Sequence, residues 1–212
     1  LQPYEYHANT SELIRILKKG HANVELTDKE WRTLYNWIDY NAPDKGYFNA
    51  NKISVENQAL GGMSTRTFYN KLWPDVRKAL KPGDWVIISI GHNDNGPYDS
   101  GRARASIPGV GHDSLNVTIK ETGVKETVYT YGEYMRRFIH DCRAVGAHPI
   151  LMSLTPRDAY DEKTGKIVRK IHTQWLMQVA AEEGVPFIDL NEISGNKLDG
   201  YSKWKVKYFF YG

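Results

Sequence analysis

The sequence predicts a three-layer α/β domain, a parallel sheet with helices on both faces, preceded by a small helical hairpin. Three observations predict it. Trp85-Val-Ile-Ile-Ser-Ile90 is a near-continuous apolar run rich in β-branched residues, the pattern of a strand buried on both faces. Beyond it, strand-like and helix-like stretches alternate as far as Leu190, and such alternation makes a parallel sheet. Two strand-like runs also lead into polar or glycine-rich corners, Asn57-Gln-Ala-Leu-Gly-Gly-Met-Ser64 and Gly91-His-Asn-Asp94. Chemistry in open α/β sheets lies outside the carboxyl ends of strands.

Taken in order, Asn9-Thr-Ser11 can cap a helix through Leu13, Ile14, Ile16 and Leu17, and Gly20 suits its end. Thr27-Asp-Lys-Glu30 has capping-box spacing, with Leu26 and Trp31 placed as a hydrophobic staple. Trp31, Leu34, Tyr35 and Ile38 then share one face, and Asn41-Ala-Pro43 closes the helix. Residues 1–47 therefore read as a hairpin segment and 48–212 as the main domain. Within the latter, a strand at 53–56 precedes a helix from Ser64 to Leu80 interrupted by Pro74. Lys81-Pro-Gly-Asp84 is a turn signal before the strand 85–90. Residues 95–130, with six Gly or Pro up to Gly111, read as a long binding loop or lid. A helix over 131–145 carries Tyr134, Phe138, Ile139 and Cys142 on one face. A strand at 148–154, a helix at about 168–183 and a strand at 185–190 complete the order.

Bulk properties narrow the function. The 212 residues are 41% hydrophobic and 25% charged, with a net charge of +3. That is an ordinary globular composition without the basic blocks that nucleic acid demands, so no nucleic-acid partner is expected. No stretch reaches membrane-span length, so no membrane partner is expected either. Cys142 is the single cysteine, which rules out an internal disulfide. Fourteen Tyr and six Trp offer flat faces suited either to sugar rings or to core packing.

The two corners suggest backbone N–H groups and an Asn amide converging on one point, the construction of an oxyanion hole. The residues there resemble the SGNH (GDSL-type) hydrolases, with Gly91-His-Asn-Asp94 similar to the third signature block and Gly61-Gly62 to the second. Val55-Glu-Asn-Gln-Ala-Leu-Gly-Gly-Met-Ser-Thr-Arg-Thr-Phe68, Thr130-Tyr-Gly-Glu-Tyr-Met-Arg-Arg-Phe138, Ser153-Leu-Thr-Pro-Arg157 and Gly184-Val-Pro-Phe-Ile-Asp-Leu-Asn191 resemble its rhamnogalacturonan acetylesterase branch. The likeness covers roughly residues 48–212. It implies a flavodoxin-like sheet, removal of acetyl groups from a pectic polysaccharide through an acyl-enzyme on Ser without cofactor or metal, and a secreted or periplasmic location. It also implies that Gly62 supplies an N–H, and Asn93 an amide, to the oxyanion hole. Gly61 is the alternative to Gly62. His92, Arg66 and Arg157 are the candidate substrate contacts, the arginines because they pair well with carboxylates. Salt bridges that hold loops are the equal alternative for those arginines.

Two departures qualify that expectation. Gly-Asp-Ser, the family's first block, occurs nowhere, and neither does an Asp-x-x-His, the fifth. The resemblance would place the fifth block just after Gly212. The expected domain is therefore incomplete and inactive as it stands, with nucleophile, base and acid all lacking. A non-catalytic carbohydrate-binding protein and a non-functional fragment are the rival readings. Ser64, Ser89, His112, His140, His148 and His172 supply no obvious substitute triad, because a triad is defined by geometry. Residues 1–47 resemble instead the closing segment of bacterial domains related to hydrazine synthase, through Lys18-Lys-Gly-His-Ala-Asn-Val24 and Trp37-Ile-Asp-Tyr-Asn-Ala-Pro43. No Cys-x-x-Cys-His accompanies them, and His21 as a metal ligand would need convergent partners.

Overall fold

A computed structural model describes Lys18, Lys19, Thr27, Asp28, residues 46–48 and residues 53–211. The hairpin expected over 1–47, with His21 and most of its capping residues, lies outside the described residues. The chain divides into two compact units, Leu1–Ala59 and Leu60–Gly212. In the first, strand β1 (Gly46–Phe48) pairs antiparallel with β2 (Ile53–Val55), Gly46 opposite Val55.

The second unit opens with two short helices, α1 (Thr65–Lys71) and α2 (Trp73–Ala79). Ser64 caps the first in a reciprocal box: its hydroxyl accepts from the Thr67 N–H at 3.1 Å, and the Thr67 hydroxyl accepts from the Ser64 N–H at 2.9 Å. Pro74 sits in the first turn of α2, where its missing N–H costs nothing, so the break falls where the sequence places it. The Lys81–Asp84 turn then delivers β3 (Trp85–Ile88). A parallel sheet follows in the order β3-β6-β7, with β6 spanning His148–Met152 and β7 spanning Phe187–Ile188. Ile87 lies opposite Ile150, and Leu151 opposite Phe187.

Between these strands run α3 (Tyr131–Ala144) and α4 (His172–Glu183). Thr130 caps α3, its hydroxyl accepting from the Glu133 N–H at 3.0 Å. Gly184 ends α4 in the left-handed conformation (φ 59°) that a Cβ would oppose. One face of α3 buries Tyr131, Tyr134, Met135, Phe138, Ile139 and Cys142 against Trp73, Ile88, Leu151, Leu176 and Val179. Phe138 meets the Trp73 ring edge-on at 4.8 Å. Asp141, on the same helix, accepts from the Trp73 indole at 2.8 Å and the Tyr69 hydroxyl at 2.9 Å. Two further helices, α5 (Leu190–Asp199) and α6 (Lys203–Tyr211), close the unit. The last expected strand is shorter than its apolar run because Asp189 serves as the cap of α5, accepting from the Glu192 N–H at 2.9 Å. No helix among the described residues is long and apolar enough to cross a membrane.

Two expectations need correction. The strand at 85–88 is not buried on both faces: Trp85 is 65% and Ile87 57% exposed, whereas Ile88 is buried. Alternate side chains point to opposite faces, and the core packs on the face that carries Ile88 and Leu151. Ile87→Ser is accordingly expected to change stability by no more than about 0.5 kcal/mol, a surface value, rather than the roughly 2–5 kcal/mol of a truncated core residue. Urea unfolding of the two proteins checks this.

The second correction concerns the long loop. Residues 95–130 contain an antiparallel hairpin, β4 (Ser114–Thr118) with β5 (Lys125–Tyr129), turning where Gly123 (φ 71°) donates to the Ile119 carbonyl at 2.7 Å. The alternation Leu115, Val117 and Ile119 was its signal, outweighed by the Gly and Pro residues before it.

Candidate active site

The glycine corner and the carboxyl end of β3 meet. Gly62 adopts φ 83°, open only to glycine at little cost, while Gly61 does not share the left-handed conformation. The Gly62 N–H finds no acceptor within the described residues. Across from it, the Asn93 amide donates one N–H to the Met63 carbonyl at 3.0 Å. An Asn amide carries two N–H groups, so this bond fixes the amide and leaves the other N–H uncommitted. Gly62 and Asn93 are thus brought to one corner with two unused donors between them.

Asp94 ties that corner together, a role the sequence reading missed. Its carboxylate accepts from the Thr65 N–H at 3.0 Å, from the Thr65 hydroxyl, and from the Ser106 hydroxyl at 2.7 Å. Burial pushes the Asp94 carboxyl above the usual range, and the Thr65 and Ser106 hydrogen bonds oppose the shift. A charged residue directly after a corner Asn was the available signal. Gly91 has a packing reason: a Cβ there would stand 2.8 Å from the Tyr131 ring and 3.3 Å from the His172 ring. The Tyr131 hydroxyl donates to the Ile90 carbonyl at 2.8 Å, pinning the end of the strand run to α3.

His92 and Arg157 are also brought together. Arg157 donates to the His92 carbonyl at 2.7 Å, and His92 Nε2 lies 3.4 Å from the Thr155 hydroxyl. Burial, with the charges of Arg157 and Lys170, lowers the His92 pKa. Its Nδ1 is buried without a partner, so no acid orients this ring and the Thr155 contact does not make a triad.

For Arg66 the geometry favours the second of the two expected readings, the loop-holding salt bridge. Its side chain is 0% exposed and forms a two-point ion pair with Glu126, at 2.7 and 2.8 Å. It also donates to the Tyr98 and Ala105 carbonyls at 2.9 and 3.2 Å. With four of its five N–H groups committed and the whole side chain enclosed, Arg66 is out of reach of a ligand, and the loop-holding alternative describes it.

The other hydroxyl and imidazole candidates are dispersed. Ser64 is the buried cap of α1, and Ser89 faces the Ser153 carbonyl at 3.5 Å. His112 pairs with Glu133 and His140 with Glu183, both at 2.9 Å, while His148 packs on Trp85. No group of three potential metal ligands occurs among the described residues. His172 lies edge-on to Tyr131 and against Trp175. Burial, then Lys170 and His92, depress its pKa to about 4. The unfolded chain therefore binds a proton that the folded chain refuses between pH 6.5 and about 4, so stability falls as pH drops through that window. His172→Gln is expected to flatten the decline, as read from urea midpoints at pH 7 and pH 5.

Comparison with known proteins decides the family. The sequence profile of the GDSL-like lipase/acylhydrolase family matches residues 26–210. The chain belongs to that family. As a GDSL-like protein it is similar to a rhamnogalacturonan acetylesterase of Emericella nidulans, with 29% identity over 79% of this chain and 69% of the relative. A Bacillus subtilis protein named as a probable rhamnogalacturonan acetylesterase, YesY, is 30% identical over 67% of this chain. The GDSL-like chain spans 56% of that relative's length. The crystal structure of the Bacillus subtilis protein YxiM superposes with a TM-score of 0.54 at 23% identity, over 76% of this chain and 39% of that one, a likeness of fold. Its α/β architecture with a parallel sheet is thus the family's own.

Proposed function

We propose that this GDSL-like protein is a carbohydrate esterase that removes acetyl groups from an acetylated pectic polysaccharide, with Gly62 and Asn93 as its oxyanion donors. The observation that carries the reading is the pair of uncommitted donors at one corner, the Gly62 N–H and the second Asn93 N–H. Ester hydrolysis places negative charge on the carbonyl oxygen in the transition state, and fixed donors that need no reorganisation stabilise it there. The relatives' names supply the substrate class. Their nucleophile and base are not matched within residues 1–212, which contain neither Gly-Asp-Ser nor Asp-x-x-His. These residues alone are therefore read as inactive. A saccharide-binding role is the second reading, favoured by that same lack.

The test is acetate release from acetylated rhamnogalacturonan, measured for residues 1–212 and for the longest natural reading frame containing them. Background release from the first and clear release from the second is the expected result. Release by residues 1–212 themselves would refute the lack of a nucleophile. Binding without release by either protein would favour the second reading.

A further inference from the structure

Beside the Gly62 corner, Asn95, Gly96, Pro97, Arg102, Ala103 and Arg104 line a cavity of about 350 Å³. It is a hollow open to solvent and formed by one loop, a surface subsite rather than an enclosed pocket. We infer that this cavity is a carboxylate subsite, in which Arg102 and Arg104 seat an acidic (uronate) unit of the saccharide next to the Gly62–Asn93 corner. The inference rests on the saccharide reading of that corner.

The charge pattern singles out the two arginines. Six of the nine described arginines hold a carboxylate: Arg66, Arg77, Arg136, Arg137, Arg143 and Arg169. The remaining three, Arg102, Arg104 and Arg157, have no ion pair among the described residues, and all stand by the candidate site. Arg104 touches the corner itself, donating to the Gly62 carbonyl at 3.4 Å. The Arg104 charge also acts on the buried Asp94 carboxyl and helps to lower its pKa, but no direct ion pair joins the two, and Asp94 is held instead by Thr65 and Ser106. Guanidinium groups left unpaired at a cavity suit two-point recognition of a carboxylate.

The loop that presents them is fixed. Arg66 brackets it, bonding the carbonyls of Tyr98 and Ala105 on either side. The Gly101 N–H donates to Glu121 at 2.5 Å, and the Ala103 N–H to the Ser100 carbonyl at 3.0 Å. Ala103, between the two arginines, has φ 43°. A non-glycine residue keeps such a conformation only where its surroundings impose it, and such residues gather at ligand clamps. The backbone that carries Arg102 and Arg104 is thus fixed before any ligand arrives, which reduces the entropy lost on binding.

Titration of the full chain with trigalacturonate, and with its methyl ester as the uncharged control, tests the inference. The acid form is expected to bind at least tenfold more tightly than the ester. Arg102→Ala combined with Arg104→Ala is expected to abolish that difference while the variant still unfolds in one cooperative transition. The Arg102→Lys, Arg104→Lys pair should restore part of it. Equal binding of acid and ester, no binding of the acid form, or a preference that survives the double alanine variant would overturn the inference. Neither ligand carries an acetyl group, so a charge-dependent Kd together with no acetate release by the longest natural reading frame would count against the esterase reading alone.

Discussion

Arg66→Met is expected to destabilise the second unit by about 3–5 kcal/mol, the cost of removing one partner from a buried ion pair. Arg66 is wholly enclosed, and Glu126 is 24% exposed, which places the effect toward the lower end. Removing the guanidinium also strands the Tyr98 and Ala105 carbonyls, and unsatisfied buried acceptors add to the loss. At about 2–4 °C per kcal/mol for a unit of this size, the melting temperature should fall by about 10 °C. Arg66→Lys should rescue little, because an ammonium cannot present the planar fork that pairs with Glu126 at two points while reaching two carbonyls. A loss below about 1 kcal/mol, the range of an exposed ion pair, would mean that Arg66 does not hold this loop.

Asn93→Ala is expected to lower acetate release by about 10²–10³-fold, the effect of deleting one oxyanion donor. The measurement is made in the natural reading frame that releases acetate. The loss should fall on kcat with KM nearly unchanged, since the donor acts on charge that develops only in the transition state. The variant should fold, because Asn93 is only partly buried and its bond to the Met63 carbonyl is a single contact. If kcat stays within a factor of three of the parent, taken as the edge of what one oxyanion donor can hide, Asn93 holds the corner and nothing more.

The neighbourhood of Gly62 and Asn93 was legible because both lie in short sequence blocks at the ends of strand-like runs. Asp94 was part of the quoted block, yet its work was not legible. Its partners Thr65 and Ser106 stand 29 and 12 residues away, and no local pattern marks a carboxylate that will be buried. Which of the two readings of Arg66 holds was not legible for the same reason: Glu126 is 60 residues distant, and an arginine in a binding-loop block looks alike whether it meets substrate or a buried acid. The Arg102–Arg104 loop was recognised as a loop of functional length, but not as charged and fixed, since both properties depend on what the other arginines pair with.

The sequence by itself determined what short-range physics controls. Ser64 and Thr130 start their helices, Gly184 stops one, Pro74 divides a pair, and apolar periodicity selects the buried face of α3. Collinear blocks likewise determined the family. Only the tertiary structure decided which face of β3 is covered, that residues 114–129 pair as a hairpin, and which arginines are enclosed and which left open. The reason is physical. A cap or a helical stripe is satisfied within a few residues, whereas burial and ion pairing depend on partners delivered from distant parts of the chain, which only the assembled sheet and helices bring within reach.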